Sequence, residues 1–248
     1  MRERFLPNSR RMGFKGLNDA HKRNALPWFL EAADHLKGFC CVIAVEKRVG
    51  KMCIREDMIP TMTSRGILQS QWGKRSLEQM LRVVNFLSIF MAILTYPGQN
   101  VYWISDEDEI FANPVKTLDT KRLLESFTTA YIAHPLGEVG LGTTTIDEED
   151  RFDEDCASIP DLVAGSTAEL LTKLIQENGT LPDVPARLPS LSRKSEIVAD
   201  WFFSSRHSLA KYGILCSFKG PEHYRIGTWT VDDSLIERPP GIWLPPNQ

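Results

Sequence analysis

Apolar positions along the chain are most regular between Lys74 and Thr95. Leu77, Met80, Val84, Leu87, Met91 and Leu94 recur there at alternating intervals of three and four, the spacing of one helix face. Val83, Phe86, Ile89, Phe90 and Ile93 fill a second stripe, so this helix is apolar on most sides. Asn85 and Ser88 interrupt it and leave no apolar run long enough to span a bilayer, which assigns it to a core. Upstream, Leu26, Phe29, Leu30, Ala33 and Leu36 predict a helix over Leu26 to Lys37, with Pro27 in its first turn and Gly38 as its stop. FCCVIAVE follows, Phe39 to Glu46, a nearly continuous apolar run of the kind found in strands covered on both faces. Residues 48–69 show no clear period.

After the Pro97-Gly98 turn, VYWIS predicts a buried strand from Val101 to Ser105, closed by an Asn113-Pro114 turn. A helix is expected over Thr120 to Ala133, ended by His134-Pro135, and a glycine-weakened strand over Val139 to Ile146. Ser158, Pro160 and Gly179 delimit a further helix over Ile159 to Asn178, with Ser158 as its N-cap. Pro182, Pro185 and Pro189 mark Leu181 to Leu191 as a linker. A helix near Lys194 to Leu209 and a hairpin of Tyr212–Phe218 with Tyr224–Val231 complete the ordered pattern, before a proline-rich tail. Strands alternating with helices indicate an α/β fold. The expected division is an α/β domain over 1–180 and a small α+β appendage over 190–248.

Composition alters this picture little: 42% hydrophobic and 25% charged residues over 248 positions are ordinary globular values, and a net charge of −3 suggests no global polyanion binder. Charge is unevenly placed, however. Residues 147–161 hold eight acids against Arg151 alone, whereas the first 23 residues carry Arg2, Arg4, Arg10, Arg11, Lys15, Lys22 and Arg23 against Glu3 and Asp19. The five cysteines have no C-x-x-C or Cys/His spacing, which argues against a disulfide framework or structural zinc. The arginine-rich start lacks the apolar core of a secretory signal, so a cytoplasmic location is the expectation. No P-loop, G-x-S-x-G or G-x-G-x-x-G pattern occurs.

Candidate chemistry centres on carboxylates. Asp106 and Asp108 stand two apart at a strand end, so extended backbone puts them on one face, where they would either hold Mg²⁺ or Mn²⁺ or form a solvated acidic turn. Asp161, at the third helical position of S-I-P-D, would either complete a capping box with Ser158 or project as a metal ligand. Glu46 ends an apolar strand and is either a third acid or a surface residue. The acids between Asp147 and Asp155 lack the glycine and ligand order of a calcium loop.

YWISDED, followed later by SIPDLVAGSTAELL, resembles the domain-of-unknown-function 3800 family, whose members are regarded as ribonuclease H-like; the likeness covers roughly residues 14–175. The resemblance implies a ribonuclease H-like mixed sheet flanked by helices, with acids gathered around Mg²⁺ or Mn²⁺ for phosphodiester hydrolysis. By motif match Asp106 and Asp161 would be catalytic metal ligands, with Asp108 and Glu46 as further ligands; Arg10, Arg11 and Lys15 of the basic N-terminal stretch, with Lys47, are the candidate nucleic-acid contacts. The chain departs from the family at its start: MRERFLPNSRRMGF shows no Asp-Glu-Ser strand to supply the first ligand. Two function classes follow, a divalent-metal nuclease and a non-catalytic relative that binds nucleic acid or protein; a third, an unrelated D-x-D enzyme such as a sugar-nucleotide transferase, ranks below them because no nucleotide-binding pattern occurs at the N-terminus. The missing strand also implies an exposed sheet edge that a partner chain or second copy would cover.

Overall fold

A computed structural model describes residues 11–50, 53–54, 57–105, 110–143, 152–180, 189–203, 209–220 and 223–230. Helices are α1 (Ala20–Ala33), α2 (Met58–Ser64), α3 (Lys74–Leu94), α4 (Pro114–Tyr131), α5 (Phe152–Asn178) and α6 (Arg193–Phe202). Strands are β1 (Gly38–Val45), β2 (Val101–Ser105), β3 (Val139–Thr143), β4 (Leu209–Gly220) and β5 (His223–Thr230). The chain forms two compact units, Met1–Val49 with Ile146–Glu237, and Gly50–Thr145 with Arg238–Gln248. This division differs from the expected boundary between 180 and 190. The C-terminal strands are no appendage, because β4 is the middle strand of the first unit's sheet.

In that first unit β1 pairs in parallel with β4, from Gly38 opposite Leu209 to Val45 opposite Cys216, and β5 runs antiparallel to β4. The expected hairpin is therefore present as β4–β5. Leu26, Leu30, Leu162, Val163, Val198 and Phe202, all 2% exposed or less, form the core between the helices and the start of β1. Asp19 starts α1: its carboxylate accepts the amides of His21 and Lys22. Pro27 thus lies in the helix interior rather than in the expected first turn. Its position is exposed, outside the buried face of α1.

The same correction applies to α5. This helix begins at Phe152, seven residues before the expected start, so Ser158 is not an N-cap; its hydroxyl donates back to the Glu154 carbonyl at 2.8 Å. Pro160 again falls at an exposed interior position. Glu154 and Asp155 in the opening turn suit the positive end of the helix dipole, a signal the proline obscured.

The second unit holds α3, which matches its expected span to within one residue and buries Leu77, Met80, Leu81, Val84, Ser88 and Met91. Among the described residues α3 is the helix whose length and composition suffice to cross a membrane. It packs on α4, which starts at Pro114 behind the N-cap Asn113, so the expected turn there is in fact a helix start. β2 keeps its expected limits and pairs in parallel with β3. It is only half-buried: Tyr102 is 66% exposed and its ring lies over Gly140 and Gly142, where a Cβ would meet it at 2.3 and 2.4 Å. β1 and β2 belong to two different sheets, which corrects the expectation of a single mixed one among the described residues.

Candidate functional site

Asp106 and Asp108 lie outside the described residues, as does Arg10. Glu46 and Asp161 are both in the first unit, and its geometry separates them. Ile159, Leu162 and Val163 of α5 cluster with Cys40 and Val42 near the start of β1. Leu170 and Leu174 lie further along, beside Leu215, which stands opposite Ala44. α5 therefore runs in the direction of β1, and its C-terminal end reaches Arg48, whose guanidinium donates to the Gly179 carbonyl at 3.3 Å and also holds the buried Glu46 carboxylate. Asp161 precedes Gly179 by eighteen residues, about 27 Å along the helix axis. Oxygen ligands sit roughly 2.0 to 2.6 Å from Mg²⁺ or Ca²⁺. Glu46 and Asp161 do not share an ion.

Asp161 has another partner. Its Oδ2 accepts the Phe14 amide at 2.8 Å, which fixes a short 3-10 turn (Phe14–Asn18) against α5. Gly165, one turn on, leaves room for the Phe14 ring, because a Cβ there would lie 2.2 Å from Cγ of that ring. Arg11 is likewise turned inward. Its guanidinium donates to the Ala157 carbonyl at 2.8 Å and its amide donates to Glu154 at 3.3 Å, so it is engaged with α5. Lys15 and Lys47 are exposed, as a nucleic-acid contact requires.

The structure gathers a cation of the basic N-terminal stretch with two from the start of α6. A cavity of about 320 Å³ is lined by Leu17, Asn18, Arg23, Ser192, Arg193 and Lys194, three cations with no carboxylate among them. Lys194 donates to Asn18 Oδ1 at 3.1 Å and lies 4.4 Å from the centre of the Phe14 ring. Arg23 reaches the Asn18 carbonyl at 3.5 Å. Opposite these, Glu169 of α5 fixes the start of α6, accepting from the Ser192 amide (2.7 Å), the Ser192 hydroxyl (2.7 Å) and the Ser195 hydroxyl (2.6 Å). Partial burial pushes the Glu169 carboxyl up, but donors from Ser195, Ser192 and Lys173 outweigh it and hold the group at about 2. Arg193 and Lys194 occupy the first two positions of α6, where the helix dipole disfavours positive charge. Two adjacent bases at a predicted helix start were the available sequence signal.

Several other buried polar groups connect elements. Lys211 of β4 donates to the Trp201 carbonyl at 2.7 Å and stands 3.7 Å from Asp34, whose carboxylate also accepts the Trp201 indole N–H at 2.7 Å. Desolvation lowers the Lys211 pKa, opposed by Asp34 and the Cys40 thiol. Burial pushes the Cys40 thiol up to about 12, which leaves it unreactive. In the second unit Asp119, fully buried, accepts from the amides of Gln69 and Ser70 and from the Trp72 indole. Glu78 there accepts from the Cys53 and Ile54 amides and pairs with Arg82. Among the described residues no three His, Cys, Asp or Glu side chains gather closely enough to hold a metal ion. Comparison with family models, curated proteins and solved structures gives no match.

Proposed function

We propose that this protein binds nucleic acid without cleaving it, through the cationic cavity between the Phe14–Asn18 turn and the start of α6. The carrying observation is the lining itself: Arg23, Arg193 and Lys194 converge on one concavity that contains no carboxylate. Phosphate oxygens are the common biological groups that pair with several cations in so small a space. The exposed Lys15, on the adjoining turn, would extend the track. Binding of this kind weakens as salt rises, with a logarithmic slope of about −0.7 per neutralised phosphate of a single strand. The test is fluorescence anisotropy of a labelled single-stranded oligonucleotide across a salt series. Wild type is expected to bind with a steep slope, and the triple change Arg23→Gln, Arg193→Gln, Lys194→Gln to flatten it. No binding at low salt sinks this reading.

A second reading is a divalent-metal nuclease of ribonuclease H-like architecture, built on Asp106 and Asp108. One observation favours it. Ser105 and Thr143 are register partners, so the chain leaves both parallel strands at the same end, where α/β sheets carry their ligands. Mg²⁺ or Mn²⁺ would serve there as the template for an attacking water. Titration calorimetry with Mn²⁺ on wild type and Asp106→Asn tests it, and identical heats reject it.

A further inference from the structure

We infer that the cavity formed by Arg23, Asn18, Ser192, Arg193 and Lys194 receives the terminal phosphomonoester of a nucleic-acid strand, rather than a run of internal phosphates. This deepens the nucleic-acid reading and rests on it. Three features argue for an end. The cavity is an open concavity of about 320 Å³, at the small end of ligand-site sizes, which matches a single phosphate group and its sugar better than an extended strand. Its three cations come from two separate segments, Arg23 on α1 and the adjacent pair on α6, and therefore close around a group instead of following a strand. A phosphomonoester carries about −1.5 to −2 charges near neutral pH, against one for each internal phosphodiester, and so profits more from a concentrated positive site.

The local chemistry is shaped for a multivalent acceptor. Arg193 and Lys194 stand at the start of α6, where their charges oppose the helix dipole, so an anion seated beside them relieves that opposition. Lys194 is aimed by two neighbours already described, Asn18 and the Phe14 ring. Arg193 is exposed, with its side chain available to the cavity. The nearby acids do not line the cavity. Asp19 caps α1, Glu169 is occupied by Ser192 and Ser195, and Glu196 is exposed on α6.

The experiment compares two single-stranded oligonucleotides of identical sequence, one with a 5′-phosphate and one with a 5′-hydroxyl, binding to the full chain by anisotropy. Wild type is expected to prefer the phosphorylated end by about tenfold or more. Arg193→Gln and Arg23→Gln, made separately and checked by circular dichroism, are each expected to reduce that preference to about twofold or less. Inorganic phosphate is expected to occupy the cavity and reduce the preference for the phosphorylated strand. Equal affinity for the two strands overturns the end-binding inference while leaving nucleic-acid binding in place. A preference that persists in both variants also overturns it, because the end is then held elsewhere. Absence of binding to either strand removes both readings together.

Discussion

Asp161 accepts the amide of Phe14 at 2.8 Å, across 147 positions of sequence. This contact ties the N-terminal turn to α5 and gives the carboxylate a partner outside its own helix. Its geometry suits an acceptor for one backbone donor.

Replacement of Asp161 distinguishes this contact from a metal-ligand role. Asp161→Ala is expected to cost about 1 to 3 kcal/mol, the usual penalty for stranding a donor that had a charged acceptor. Asp161→Asn, which keeps an acceptor oxygen, is expected to lose less than half of that. Urea denaturation of the two variants measures the difference. A metal ligand behaves otherwise, since the asparagine variant would then lose Mn²⁺ binding outright.

Glu169 predicts how acid affects the first unit. Its carboxyl is held at about 2 from an ordinary value of 4.5, so the folded state binds its proton less readily than the unfolded chain does. The stabilisation is therefore complete above about pH 4.5 and declines as pH falls towards 2. Glu169→Gln is expected to lower stability at pH 6 and to flatten its fall across that window. Denaturant midpoints collected between pH 2 and pH 6 on both proteins test this. A parallel fall in wild type and variant would assign the acid sensitivity to other groups.

Lys211 and Asp34 form a buried pair around Trp201, with side chains 2% and 10% exposed. Lys211→Met leaves the Asp34 charge without its cation and is expected to destabilise the fold by roughly 3 to 5 kcal/mol. Adding Asp34→Asn to that variant is expected to restore part of the loss, because the amide oxygen still accepts the Trp201 indole while the uncompensated charge is gone. A double variant less stable than Lys211→Met would show that the carboxylate, not the pair, sustains this junction.

The parts of the fold legible in sequence were those with strong local periodicity. α3 has two apolar stripes and β2 a compact β-branched and aromatic run, and both took their expected limits to within a residue. Two helix starts were misplaced for one shared reason. Pro27 and Pro160 were each read as first-turn prolines, yet each sits well inside its helix at an exposed position. The true start of α1 was written in Asp19, whose carboxylate caps the helix. The parallel pairing of β1 with β4 joins residues about 170 apart in sequence, and no local pattern announces such a partnership. The cation cavity was hidden for the same reason, as Arg23 and Lys194 become neighbours only after that closure.

β1 and its sheet partner β4 also impose an order on synthesis. The whole of Gly50–Thr145, with α3, α4 and the β2–β3 pair, is translated between them. That second unit draws its described elements from one continuous stretch, so its contacts are available while the chain is still being made. The first unit has no such freedom: β1 emerges early and must wait, apolar and unpaired, until β4 leaves the ribosome. Nascent chains released before Leu209 would therefore carry a finished second unit and an open strand edge, the form in which this protein is most exposed to aggregation and to chaperone capture.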